Sequence, residues 1–165
     1  MTAVRTERLV GRRHEWADLS VIPPSIAREE VDSSGAVGAV AYPYRIYEVT
    51  VTVPRRFFGD RIEEYVVSVD CARRLAVRAD TLPEPEPRAV EDVLVVPTEL
   101  SVEEADEKAR KAVFGWCLRR FSMGDPPEIS IERAVDVHKL FWLAARPDGD
   151  AIVDSVRGSA EPLVE

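Results

Sequence analysis

The residues best equipped for chemistry are two acids in matching settings, Asp70 in Val69-Asp70-Cys71 and Asp154 in Val153-Asp154-Ser155. Paired carboxylates serve general acid–base catalysis or hold a cation. Each of these, however, ends an apolar run that reads as a strand, and an aspartate there accepts the amides of the turn that follows. Turn chemistry alone accounts for two acids in equivalent places, so the turn reading is favoured. Cys71 with His138 as base would make a nucleophile. Nothing in the sequence brings those two together, and Asp70 beside the thiol raises its pKa rather than lowering it. His14 and His138 are the only histidines, too few for a His-based metal site. No Gly-rich phosphate loop, nucleophile elbow or metal-spaced Cys/His set is present. The expectation is therefore no catalytic residue, no metal site and no cofactor. Cys71 and Cys117 are expected as free thiols packed like small apolar side chains.

Binding is better represented than catalysis. Phe57 and Phe58, flanked by Arg55, Arg56 and Arg61, fall where two strands turn back on each other. Adjacent residues of a regular strand point to opposite faces, so both rings cannot enter one core. Either one ring anchors a partner while the arginines steer an acidic surface towards it, or the tip folds back onto the protein's own helix or a symmetry mate. Tyr42 and Tyr44, with Tyr47, straddle both faces of a strand and are expected in part to line a groove or interface with their hydroxyls in water. Trp116 and Trp142 are read as core residues, and His138 as lying on the wetter face of its strand.

These side chains must be positioned by a repeated set of elements. Asp18–Val31 lies without a gap on Asp92–Ala105: the Asp, a Val, the Pro and the Glu-Glu pair coincide. Each stretch then leads to an aromatic strand, Tyr42–Tyr47 or His138–Leu143, and to a Val-Asp corner. Such self-similarity is an architectural signal. A short strand at Leu19–Ile22 stops at Pro23-Pro24 and a brief helix follows over Ser25–Val31. In the strand from about Val40 to Val53, Tyr47, Val49, Val51 and Val53 share one face, while Glu48, Thr50 and Thr52 share the other. Ile62–Val69 returns as a hairpin, and Cys71–Ala79 adds a strand. Leu82-Pro-Glu-Pro-Glu-Pro87 must be extended, because proline fixes φ and lacks a donor. Strand Val93–Val96 opens the second copy.

Ser101 with Glu104 forms a capping box, acids load the helix start, and Arg119 and Arg120 load its end. Ala105, Ala109, Ala112, Val113, Trp116 and Cys117 make an apolar stripe, and Gly124 followed by Pro126-Pro127 ends the helix. A helix of about 20 residues spans roughly 30 Å, enough to cross several strands. Ile129–Ala145 and Ala151–Val153 close the chain through the Pro147–Asp150 turn. The expected fold class is α+β: antiparallel sheet with a long amphipathic helix, about 101–121, on one face, in two pseudo-repeats of strand-helix-strand-hairpin-strand. The expected division is an arm at 1–17, partly ordered or a short edge strand, a first repeat at 18–82, a proline-rich spacer at 83–91, a second repeat at 92–158 and a tail at 159–165.

Composition narrows the partners. The chain has 165 residues, 45% apolar and 32% charged, with a net charge of −8. An acidic surface disfavours nucleic acid, whose phosphates require clustered cations. Only Lys108, Lys111 and Lys139 are lysines among 22 basic residues, a balance typical of a GC-rich genome or a salt-adapted host. No apolar run approaches the roughly 20 residues that span a bilayer, and residues 1–13 lack the apolar core of a secretory signal. A cytoplasmic protein is expected.

Leu100–Ala105 opening a helix, the strand Val137–Ala145, and the closing Val153-Asp154-Ser-Val-Arg-Gly158 together resemble the PepSY module. The resemblance is clearest over residues 92–165. A degenerate second copy spans 18–80, where the corner reads Asp70-Cys-Ala-Arg-Arg74 without the glycine. The resemblance implies a small cystatin-like α+β fold and a non-catalytic role in regulating or inhibiting peptidases or binding at the cell envelope. The absence of a signal sequence and of a peptidase segment departs from that pattern. Three functions follow in order: a non-enzymatic protein-binding or regulatory protein, acting on another protein or by self-association; a structural or assembly subunit of a larger particle; and an enzyme of unrecognised type.

Overall fold

A computed structural model of the chain describes residues 11–121 and 125–163. Its strands are β1 (Arg12–Val21), β2 (Gly38–Val53), β3 (Arg61–Asp70), β4 (Leu75–Ala79), β5 (Glu86–Val95), β6 (Glu128–Ala144), β7 (Ala151–Asp154) and β8 (Ala160–Pro162). One α-helix, α1, covers Val102–Arg120. The fold is α+β, with strand order β4-β3-β2-β5-β1-β6-β7-β8 and a further pairing of β2 with β6. The sheet is mixed, where an antiparallel one was expected: β2 runs parallel to β5, and β1 parallel to β6. Neither pair is consecutive in the chain, so no tight hairpin dictates their direction.

The helix forms where its caps are written. Ser101 Oγ accepts from Glu104 N at 3.1 Å, and Glu104 Oε1 accepts from Ser101 N at 3.2 Å, which satisfies two end amides reciprocally. That bonding also holds the Glu104 carboxyl below its usual range. Gly124, the expected stop, lies outside the described residues; the helix ends at Arg120, with Phe121 already extended.

Two compact units emerge. One comprises Tyr44–Pro83 and Thr98–Asp136. Here β2 and β3 pair from Tyr44 opposite Asp70 to Val53 opposite Arg61, and β4 adds outside β3. Tyr47, Val49, Val51 and Val53 are all buried, as their alternation required. They form a core with Tyr65, Val67, Val69 and the helix residues Ala105, Ala109, Val113 and Cys117. Those four helix residues recur every fourth position, so one face presents small side chains and lets the helix sit close on the sheet. Trp116 is half-buried, its ring centroid 5.9 Å from that of Tyr65.

The other unit comprises Met1–Pro43, Glu84–Pro97 and Val137–Glu165. Its centre is the antiparallel pair β1 and β5; β6 joins β1 in parallel, and β7 and β8 extend it by antiparallel pairing. The core gathers Val21, Ala39, Ala41, Val90, Val93, Leu140, Trp142, Ala144 and Val153. The Trp142 indole N–H donates to Ile26 O at 2.8 Å, which seats its ring as a core residue.

Three expectations are corrected in this unit. The helix expected over Ser25–Val31 is one 3-10 turn, Arg28–Glu30. Prolines precede it, and Ser33 and Ser34 then bond the backbone of Ala145, so the segment is too short to offset helix nucleation. The proline-rich spacer becomes strand from Glu86, since an extended chain needs little change to pair. Residues 12–17, expected as part of an arm or a short edge strand, belong to β1, which lies between β5 and β6, and 160–162 of the tail belong to β8; residues 1–10 and 164–165 are outside the described residues.

Gly158 is a checkable corner. Its φ is 76°, and a Cβ there would meet Ile26 Cδ1 at 2.6 Å. Gly158→Ala is expected to cost about 2 kcal/mol through left-handed strain and overlap, read as a lower midpoint in urea denaturation.

Candidate functional site

The connection from β2 to β3 is built by three local rules. Pro54 lacks a donor and ends β2, residues 56–58 turn, and Gly59 takes a φ of 72° that favours glycine. Arg55 then spans the turn: its Nε donates to Gly59 O at 3.1 Å and its Nη2 to Phe58 O at 3.4 Å. Arg55 is therefore a brace for the tip. With the backbone held this way, Phe57 is 84% exposed and Phe58 80% exposed. Both rings stand in solvent, where the sequence required only that one fail to reach the core. Ile62, just inside β3, adds a third exposed apolar side chain at 66%.

The cations around the tip divide by role. Arg56 is exposed. Arg61 donates to Glu63 Oε1 at 2.5 Å and lies 4.9 Å over the Phe121 ring. Arg120 covers the same ring at 5.1 Å and approaches Glu63 at 3.9 Å. The end of α1 is thereby tied to the root of the hairpin through Phe121 and Glu63. The tip projects from a fixed base.

Tyr42 and Tyr44 do not join this surface. Tyr42 is buried, meeting Phe141 edge-to-face at 5.2 Å between centroids. The Tyr44 hydroxyl accepts from Arg73 Nη2 at 3.3 Å, and burial followed by the nearby Asp70 charge pushes its pKa upward.

The two corner acids are occupied. Asp70 Oδ1 accepts the amides of Ala72 and Arg73 at 3.0 and 2.9 Å, and its Oδ2 takes Arg73 Nε at 2.6 Å. Asp154 Oδ1 accepts the amides of Val156 and Arg157 at 2.9 and 3.0 Å, while Lys139 Nζ lies 2.8 Å from Oδ2. Their oxygens are used by turn amides and a neighbouring cation.

Comparison with family models, with curated proteins and with solved structures finds no match. The site therefore rests on its own geometry. Cys71 and Cys117 are free and buried, and burial is the main cause that raises both thiol pKa values. Cys71 and His138 belong to different units. His138 is half-buried, and burial pushes its pKa down, so the neutral imidazole prevails. No group of three His, Cys, Asp or Glu among the described residues is disposed to hold a metal ion. No described helix is long and apolar enough to cross a membrane.

One polar network escaped the sequence reading. Arg45 donates to Asp106 at 3.3 Å and to Asp136 at 2.8 Å, and the Tyr47 hydroxyl donates to Asp106 at 2.5 Å. Burial first, then Asp106, drives the Tyr47 pKa upward, so the phenol remains a donor. This network pins α1 to β2 and supports the face from which the hairpin grows. Its only sequence trace was an acid, Asp106, directly beside the apolar stripe at Ala105.

Proposed function

We propose that this chain is a non-enzymatic binding or regulatory protein, made of two degenerate PepSY-like units, which docks onto an acidic face of another protein through the hairpin tip at 54–61. The observation that carries the reading is the pair Phe57 and Phe58, both held in solvent by a braced turn. Rigid exposed aromatics give large contact area at small ordering cost, which is what interface anchors provide. Arg56 beside them supplies charge complementary to an acidic partner.

What supports duplication is bonding that recurs under the alignment of the two sequence copies. That alignment sets Ile22 on Val96 and Ser25 on Glu99. Ile22 N donates to His138 O and Val96 N donates to Ala41 O. Ser25 N donates to Ser155 O, and Glu99 N donates to Cys71 O. Ala27 N donates to Glu30 Oε1 as Ser101 N donates to Glu104 Oε1. The corner acids cap their turns through the same two amides, and the fourth residue after each, Arg74 or Gly158, has a positive φ. The strand order reads the same from either end when each first-copy strand is exchanged for its counterpart.

The experiment is capture from the source organism's own extract with the whole chain as bait, followed by affinity measurement on the partner identified. Phe57→Ser/Phe58→Ser is expected to weaken binding by about 2 kcal/mol or more, roughly thirtyfold, with the circular dichroism spectrum and unfolding midpoint unchanged. An unchanged affinity in the folded double variant defeats the tip. Binding that transfers to anionic vesicles instead of a protein defeats the proposed partner class.

A further inference from the structure

Strand β4 and the last turn of α1 bring three arginines to one cleft. Arg78 comes from β4, Arg119 and Arg120 come from α1, and Tyr65 and Trp116 complete the lining. All five residues belong to the unit of Tyr44–Pro83 and Thr98–Asp136. Arg78 stands opposite Val67 of the helix-covered core, so it lies on the helix side of the sheet. From there its guanidinium reaches 4.8 Å from the centre of the Tyr65 ring, and that ring meets Trp116 at 5.9 Å.

The charge at this cleft runs against the chain as a whole. Acids outnumber basic residues 30 to 22, yet no Asp or Glu lines it. Arg78 is paired with no carboxylate among the described residues; its guanidinium rests on Tyr65 instead. Arg119 donates from Nε to Gly115 O at 3.2 Å and is likewise paired with no carboxylate among the described residues. Arg120 only approaches Glu63, at 3.9 Å, and Glu63 is already held by Arg61. Like charges that converge repel one another unless an anion joins them. The carbonyl end of a helix, worth about half a negative charge, opposes such an anion. Here Gly115 O is occupied by Arg119 and Cys117 O by the Phe121 amide, so three full positive charges prevail.

The chemistry of the lining selects the occupant. Guanidinium forks match oxyanions, and a phosphate monoester offers nearly two negative charges and three acceptor oxygens, against one charge and two oxygens for a carboxylate. The half-buried Trp116 offers an indole against which a planar ring can pack. The cleft holds about 280 Å³, at the small end of ligand pockets, so a single ring with its phosphate fills it.

We propose that this cleft binds a small phosphate monoester carried on a planar ring. The test is calorimetric titration of the whole chain with phenyl phosphate at low ionic strength. Saturable one-to-one binding is expected, with inorganic phosphate, benzoate and phenol each about tenfold weaker or more. Arg78→Gln and Arg119→Gln replace exposed side chains, and each is expected to weaken phenyl phosphate about tenfold with an unchanged circular dichroism spectrum. Trp116→Leu is expected to weaken phenyl phosphate and leave inorganic phosphate unaffected. Arg133→Gln, at an exposed arginine of β6, should change nothing, and Phe57→Ser/Phe58→Ser should change nothing either, which separates this cleft from the tip. No saturable binding overturns the proposal. So does equal affinity for phenyl phosphate and inorganic phosphate, or a loss in Arg133→Gln equal to that in Arg78→Gln. A phosphotyrosyl peptide that binds more than tenfold tighter than phenyl phosphate overturns the free small molecule as occupant.

Discussion

Asp154→Ala is expected to lower the unfolding free energy by about 3 kcal/mol, because it strands a largely covered cation and uncaps a turn together. The carboxylate takes the Val156 and Arg157 amides on one oxygen and Lys139 on the other. Lys139 is only 17% exposed, so it cannot recover full hydration once its partner is gone. Asp154→Asn keeps an acceptor for the turn amides and loses the charge, so it should cost less than the alanine change. Measured by urea denaturation at neutral pH, the loss in Asp154→Asn reports the ion pair, and the difference between the two variants isolates the turn acceptor.

The same group gives a pH dependence of defined sign. Burial opposes ionisation of Asp154, but Lys139 and the two amides prevail and hold its pKa below the ordinary carboxylate range. A carboxyl depressed in the folded state contributes stability above its unfolded pKa and loses it as pH falls through the folded value. The contribution is therefore intact at neutral pH and disappears below about pH 4. Asp154→Asn should flatten the acid limb of the stability curve. A variant as acid-sensitive as the parent would show that Asp154 is not the responsible group.

These acids show what local sequence can and cannot specify. The turn role of Asp70 and Asp154 was legible because the carboxylate caps amides two and three residues ahead, inside the same short segment. The α1 start was legible for the same reason: Ser101 and Glu104 satisfy each other within one turn. Strand faces from Tyr47 to Val53 followed from alternation. Partner strands did not, because the pairing of β1 with β5 and β6 joins residues distant in sequence, and nothing in a local period encodes that choice. The Arg45, Tyr47 and Asp106 network was hidden for the same cause. At the tip, adjacency excluded both phenylalanines from one core but left their direction open. That direction depends on Arg55 reaching across the turn, which no spacing rule anticipates. Tyr42 and Tyr44 were misplaced towards solvent because an aromatic strand reads the same whether its far face is wet or covered by Phe141 and Arg73.

Ala109→Leu carries the second large effect, expected at about 3 kcal/mol of destabilisation. Ala109 is fully buried within the core that contains Tyr47, Val49, Val51, Val67 and Val69. Ala105, Ala109, Val113 and Cys117 lie in one row along the helix, so helix-to-sheet distance is set by the smallest of them. Three added heavy atoms at Ala109 must displace the helix or force neighbouring side chains from their rotamers, because a packed interior has little free volume. Displacing the helix would also stretch the Asp106 bonds to Arg45 and Tyr47, which begin three positions before Ala109 on the same helix. Leucine has nearly the helix propensity of alanine, so a loss cannot be assigned to the helix itself. Lys111→Leu supplies the control: the site is exposed, and the change should stay within about 0.5 kcal/mol. Equal effects at the two sites would mean that this row does not set the spacing of helix and sheet.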